Sequence, residues 1–180
     1  MKLRAGSGRA IIVGAVLVAA VVAAAMVLWR GSSEEVERLT FGPSLVVYRK
    51  AGDAVERLHD GDRAARGDLL QLEYIAAGRG FGVIASIDGD GRTTLHYPAT
   101  LEGSASLSSD GPQALDHAFE LDGAEGFERF VFVTGDGPMD VGAVLEATAS
   151  LAASADPART PLEVGQGQEQ WSIVLEKAGR

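Results

Sequence analysis

The chain has 180 residues, 46% of them apolar and 23% charged, with 25 Asp and Glu against 16 Lys and Arg and no Cys. That balance describes a folded protein, not a disordered tail. The missing Cys excludes a disulfide scaffold, a Cys-ligated zinc site, a thiol nucleophile and a lipidated-Cys anchor, and a formal net charge of −9 argues against nucleic acid as a partner.

The strongest signal comes first. Residues 10–29 form a run of 20 residues without a charge, which at the helical rise reaches roughly 30 Å, one bilayer core. A cleavable signal peptide has a shorter apolar region, about 7 to 15 residues, before a small-residue cleavage site. Ala23, Ala24 and Ala25 offer such a site, but Met26, Val27, Leu28 and Trp29 continue the run to an interfacial aromatic beside Arg30, as a spanning helix does. The expectation is an uncut signal-anchor. Lys2, Arg4 and Arg9 precede it, so the N-terminus is expected to stay in the cytoplasm of a bacterial cell. Residues 1–30 hold four basic and no acidic groups, leaving 12 basic and 25 acidic in the exported part. The expected organisation is a cytoplasmic segment 1–9, a transmembrane helix 10–29, a linker 30–38, an extracytoplasmic β-rich domain 39–177 and a tail 178–180.

Past the linker, period-2 runs alternate with Gly-Asp turns. Ser44 to Lys50 reads as a strand, and turns at Gly61-Asp62 and Gly67-Asp68 bracket a brief segment. From Leu69 to Pro98 the pattern predicts three consecutive antiparallel strands: Leu70, Leu72 and Tyr74 share a face, as do Phe81, Val83, Ala85 and Ile87, and then Thr93, Leu95 and Tyr97. Gly78-Arg79-Gly80 and Asp88-Gly89-Asp90-Gly91 are expected to connect them tightly. After a loop at 103–112, Leu115, His117, Phe119 and Leu121 form one face of a strand. In Phe127 to Thr134, Phe130 and Phe132 point one way and Val131 and Val133 the other, which predicts a central strand covered on both sides.

The period then changes. Asp140 can cap a helix carrying Val141, Val144, Leu145, Thr148, Leu151 and Ala152, and Pro157 and Pro161 lie beyond it. Trp171, Ile173 and Leu175 define a last strand. The predicted fold is mainly β: an antiparallel sandwich or half-open barrel of about seven or eight strands, with one helix in the C-terminal half closing one end.

Residues 86–98, followed by Phe119 to Asp122 and Gly126 to Phe130, resemble an uncharacterised bacterial domain family that is appended to membrane-anchored anti-sigma factors, Ser/Thr kinases and caspase-like peptidases. The resemblance covers roughly residues 40–177. It implies an accessory or sensory module and carries no catalytic residues over. The nine residues before the apolar run contain no His or Cys, so no zinc-binding anti-sigma domain is expected there.

Candidate sites are few. Asp88-Gly-Asp-Gly91 resembles the start of a calcium loop, but the twelfth position is Ala99 where a bidentate Glu is required, so the segment reads as a hairpin turn. Arg66-Gly67-Asp68 spells an integrin-binding tripeptide and reads as turn chemistry. His59, His96 and His117 lack the spacing that puts two imidazoles on one metal. His117 is expected to be half-buried, and His96 with Tyr97 is the better candidate for touching a ligand. Ser104 and Ser106 lack the GxSxG frame of a nucleophile elbow, and no phosphate-cradling Gly motif occurs. Glu128 and Arg129, neighbours pointing to opposite faces, are each expected to pair with an adjacent strand.

No cofactor or metal is expected. The function expected is a non-enzymatic, single-pass binding or signalling module in the cytoplasmic membrane, facing a protein partner of the envelope. The alternatives are an extracytoplasmic hydrolase using His96 or His117 with a carboxylate, and a structural envelope protein.

Overall fold

The computed structural model describes residues 42–51 and 54–177. The expected span 10–29, with the segments 1–9 and 30–38 and the tail 178–180, lies outside them. Among the described residues no helix is long and apolar enough to cross a membrane.

The protein is mainly β, with two sheets and one helix. Its strands are β1 (Ser44–Ala51), β2 (Ala54–Leu58), β3 (Arg63–Ala64), β4 (Leu69–Ile75), β5 (Phe81–Asp88), β6 (Thr93–Tyr97), β7 (Gln113–Glu120), β8 (Gly126–Gly135) and β9 (Glu169–Lys177). The first sheet has the order β2-β1-β4-β7, the second β3-β9-β8-β5-β6. All pairings are antiparallel except β3 with β9, a two-residue parallel contact.

The sheets pack face to face. Leu45, Val47, Leu70, Leu72 and Tyr74 of the first meet Ile84, Phe130, Phe132, Ile173 and Leu175 of the second in one dry core. The opposite face of the second sheet is covered as well, by helix α1 (Val141–Ser150) and the segment after it. Asp140 caps α1, its Oδ1 accepting from the Ala143 N–H at 3.0 Å. Val141, Val144, Leu151 and Leu162 pack on Val83, Ala85, Ile87, Val131 and Val133. The helix is thus a third layer over a sheet face and does not close one end of the sandwich. It also explains why β8, the middle strand of its sheet, is apolar on both sides.

The shared face expected for Val83, Ala85 and Ile87 is present, while two expectations, for the β4–β5 connection and for the faces of β6, are corrected. β4 and β5 do not form a hairpin; the chain turns at Ala76–Arg79, with Gly78 at φ 89°, and crosses from one sheet to the other. Within β5 the face Val83, Ala85, Ile87 looks toward α1, while Ile84 and Ser86 look into the sandwich. In β6 the faces predicted from simple alternation fail, because a bulge sets Tyr97 opposite Ile84 and Leu95 opposite Ala85. One extra residue is absorbed, so Leu95 packs on the helix side while Tyr97 packs in the sandwich core against Tyr74.

Candidate functional site

The β5–β6 hairpin, the start of β8 and the end of β9 bring a set of polar groups to one end of the sandwich. Period-2 alternation puts Glu128 on the same side of β8 as Phe130 and Phe132, and Lys177 on the same side of β9 as Ile173 and Leu175. Both charges are therefore directed inward. Lys177 Nζ donates to Glu128 Oε2 at 3.0 Å and to Asp122 Oδ1 at 2.7 Å. Asp122 also takes Arg92 Nη1 at 3.0 Å, which extends the chain of charges to the surface.

Beside this pair lies Ser86, 1% exposed, whose hydroxyl favours the ionised form of Glu128. His96 Nε2 is 3.0 Å from the same hydroxyl oxygen. Ser86 and His96 share this one hydrogen bond, its direction set by the imidazole tautomer. The His96 ring forms a three-ring cluster with Phe119 and Phe130, at centroid distances of 4.8 and 5.7 Å, and the two Phe rings lie 5.5 Å from each other.

The electrostatics follow from burial. Loss of solvent, with a smaller push from His117, lowers His96 to about 4, so the ring is neutral near pH 7. Burial raises Glu128, and the hydrogen bonds from Ser86 and Lys177 only partly offset it. For Lys177 burial acts downward, but the bonds to Asp122 and Glu128 prevail and hold it above its usual value. Asp122 is held below the usual carboxylate range, first by Lys177 and then by the Ala124 N–H.

Asp88, Asp122 and Glu128 place carboxylate oxygens within 4.8 Å of one another, a spacing open to a hard cation. Here the Lys177 ammonium already neutralises two of the three. The third, Asp88, closes its own turn: its Oδ1 accepts from the N–H groups of Asp90 at 2.9 Å and Arg92 at 2.8 Å. The calcium-like tetrad 88–91 is the β5–β6 hairpin turn.

The other candidates fall in different places. His96 is 3% exposed and so cannot touch a surface ligand. Tyr97 is half-buried and donates its hydroxyl proton to the Ser106 carbonyl. His117 is exposed, not half-buried, because β7 shifts register there. Gln71 fills the gap, donating to the carbonyls of Leu115 at 2.7 Å and His117 at 3.3 Å. Asp68 of the Arg-Gly-Asp tripeptide accepts from Ala65 N–H and Arg49. Glu128 meets the neighbouring strand as expected, through Lys177. Arg129 does not: it is 2% exposed, points to the α1 side, and its Nη1 donates to the carbonyls of Pro157 at 3.0 Å and Thr160 at 2.6 Å.

Lys177 also borders the surface. A cleft of about 630 Å³ is lined by Asp60, Arg63, Phe127, Arg159, Glu176 and Lys177, among others. It carries both signs of charge around one aromatic ring, and a cleft of this kind can seat another molecule.

Sequence reasoning missed Ser86, Asp122 and Lys177. The available signal was parity: a Glu in phase with two Phe on one strand and a Lys in phase with Ile and Leu on another mark opposite charges both aimed inward.

No family model, no curated protein and no solved structure matches this chain.

Proposed function

We propose that this chain is a single-pass, membrane-anchored binding or signalling module of the bacterial cytoplasmic membrane, with its acidic β domain outside the cytoplasm and no catalysis of its own. The observation that carries this reading is the 20-residue uncharged run 10–29, with three basic residues before it and Glu34 and Glu35 soon after it. The sequence resemblance to domains appended to membrane-anchored regulators agrees with it. Two features of the domain support the binding side. The polar groups that resemble catalytic machinery, Ser86, His96 and Glu128, are enclosed, with His96 bonded to Ser86 and Glu128 to Lys177, while the mixed-charge cleft beside Lys177 is open. A protein partner of the envelope, held at that cleft, is the proposed ligand.

The test is topological first. Protease added outside spheroplasts should digest the chain beyond Arg30, and washed membranes should retain the full-length protein. A protected C-terminal domain or recovery in the washed soluble fraction overturns the proposal. Cross-linking in intact cells from a photoreactive residue at position 159 should capture a discrete envelope partner, and the same probe at exposed Leu101 should not.

A further inference from the structure

Lys177 ends β9 opposite Gly126 of β8, and its ammonium is enclosed, the side chain 2% exposed. It faces two carboxylates in different surroundings. Glu128 is buried and accepts from Nζ at 3.0 Å, whereas Asp122, in the β7–β8 connection, accepts at 2.7 Å and is 42% exposed. The two oxygens of Asp122 are told apart by their partners. Oδ1 takes Lys177 and the Ala124 N–H at 3.0 Å, and Oδ2 takes Arg92 Nη1 at 3.0 Å. An amine, a proton acceptor and a carboxyl polarised by a guanidinium thus meet around one nitrogen atom, which is more than an ion pair needs.

We propose that Lys177 and Asp122 condense into an intramolecular amide, a covalent staple between the end of β9 and the β7–β8 connection, with Glu128 carrying the proton. The ammonium first passes one proton along the 3.0 Å hydrogen bond to the Glu128 carboxylate. The lone pair freed on Nζ then attacks Cγ of Asp122, and the negative charge gathered on Oδ2 is met by Arg92. The Cγ–Oδ1 bond breaks. Oδ1 leaves as water, taking the proton held by Glu128 and a second from the attacking nitrogen, while Nζ keeps one proton and Oδ2 becomes the amide oxygen. Ammonium and carboxylate become amide and water, so the step balances by itself. The neutral amine is the minor form, because Lys177 is held above its usual value. Contact makes up for that, since well-oriented partners react as if present at about 10⁵–10⁸ M. The partly exposed Asp122 gives the water a way out. With no Cys, the chain has no disulfide open to it, and this bond ties residues 55 apart in sequence. The reaction is a single turnover of the chain on itself, so it goes beyond the proposed binding role and does not depend on it.

The experiment is peptide mapping by mass spectrometry of the full-length chain, purified in mild detergent, held folded at neutral pH for days and denatured before trypsin. Without the bond, trypsin places Asp122 and Lys177 in separate peptides, 93–129 and 160–177. The bond blocks cleavage after Lys177. A branched peptide joining 93–129 to 160–180, lighter than their sum by one water, should therefore replace both. Asp122→Ala should give linear peptides only. Glu128→Gln keeps the shape but cannot take the proton, and should slow appearance of the branched peptide roughly 10²–10⁴-fold. Asp122 precedes Gly123, and such a step can also lose water as a succinimide, which leaves the two peptides unjoined. The proposal is overturned if the wild-type chain yields linear peptides only, whether or not 93–129 is dehydrated, or if Glu128→Gln forms the branched peptide as fast as the wild type.

Discussion

The Lys177 ammonium lies 3.0 Å from the Glu128 carboxylate with 2% and 9% of the two side chains exposed, so a full ion pair is enclosed between strands. Taking two charges out of water is costly, and Asp122 offsets part of that cost by accepting a second hydrogen bond from Lys177. Removing one partner strands the other. Lys177→Met should lower stability by about 3–5 kcal/mol, whereas Glu128→Leu with Lys177→Met should lose far less than the single change. Urea unfolding of Lys177→Met, Glu128→Leu and the double variant checks this, and additivity of the two single changes would show that the ion pair is not coupled.

Stability should fall as pH drops from 6.5 toward 4. His96 is lowered in the fold, so the unfolded chain takes up its proton first and the stability present above pH 6.5 is lost down to about 4. The full loss is about 3 kcal/mol. Glu128 has the opposite sign: raised above its ordinary 4.5, it takes up a proton more readily when folded, which favours the fold on acidification. Asp122, held below its ordinary 3.8, adds a loss only at still lower pH. Urea midpoints across this range should fall in the wild type and stay level or rise in His96→Phe until Asp122 titrates.

Arg129 anchors the segment after α1. Its Nη1 holds the Pro157 and Thr160 carbonyls, while its Nε has no partner and burial lowers its proton affinity. Arg129→Ala should cost about 1–3 kcal/mol and expose the 157–160 backbone to exchange. Arg129→Met keeps the packing and sheds the buried charge, and should cost less on a thermal melt.

Gly89 is required by close approach. A Cβ there would sit 1.8 Å from the Glu125 carbonyl oxygen, while the Gly89 N–H donates to Phe127 O at 3.0 Å. Gly89→Ala should destabilise by about 1–3 kcal/mol, because backbone must move to admit it. Gly137→Ala, with nothing within 4 Å of the added atom, should leave the melting temperature unchanged and serves as the control.

How much was legible varies by element. β8 was readable because Phe130 and Phe132 alternate with Val131 and Val133, and two-sided burial leaves that mark. The helix was readable from a capping Asp140 and a change of period. β2 was missed because it is an edge strand with little burial, its pattern exposed but for Val55 and Leu58. The inward reach of both His96 and Tyr97 was missed because a bulge adds a residue without any compositional trace.

The linear order of residues sets the local facts: a 20-residue apolar run with basic residues ahead of it, an acidic β domain, turn positions at Gly-Asp steps, and which side chains share a strand face. These depend on neighbours a few residues apart, where alternation and hydropathy act. Which sheet each strand joins, and whether Lys177 meets Glu128 or water, depends on contacts across dozens of residues. Only the packing of the two sheets and α1 decides that, because burial is a property of the closed core and it turns inward-facing charges into a bonded network.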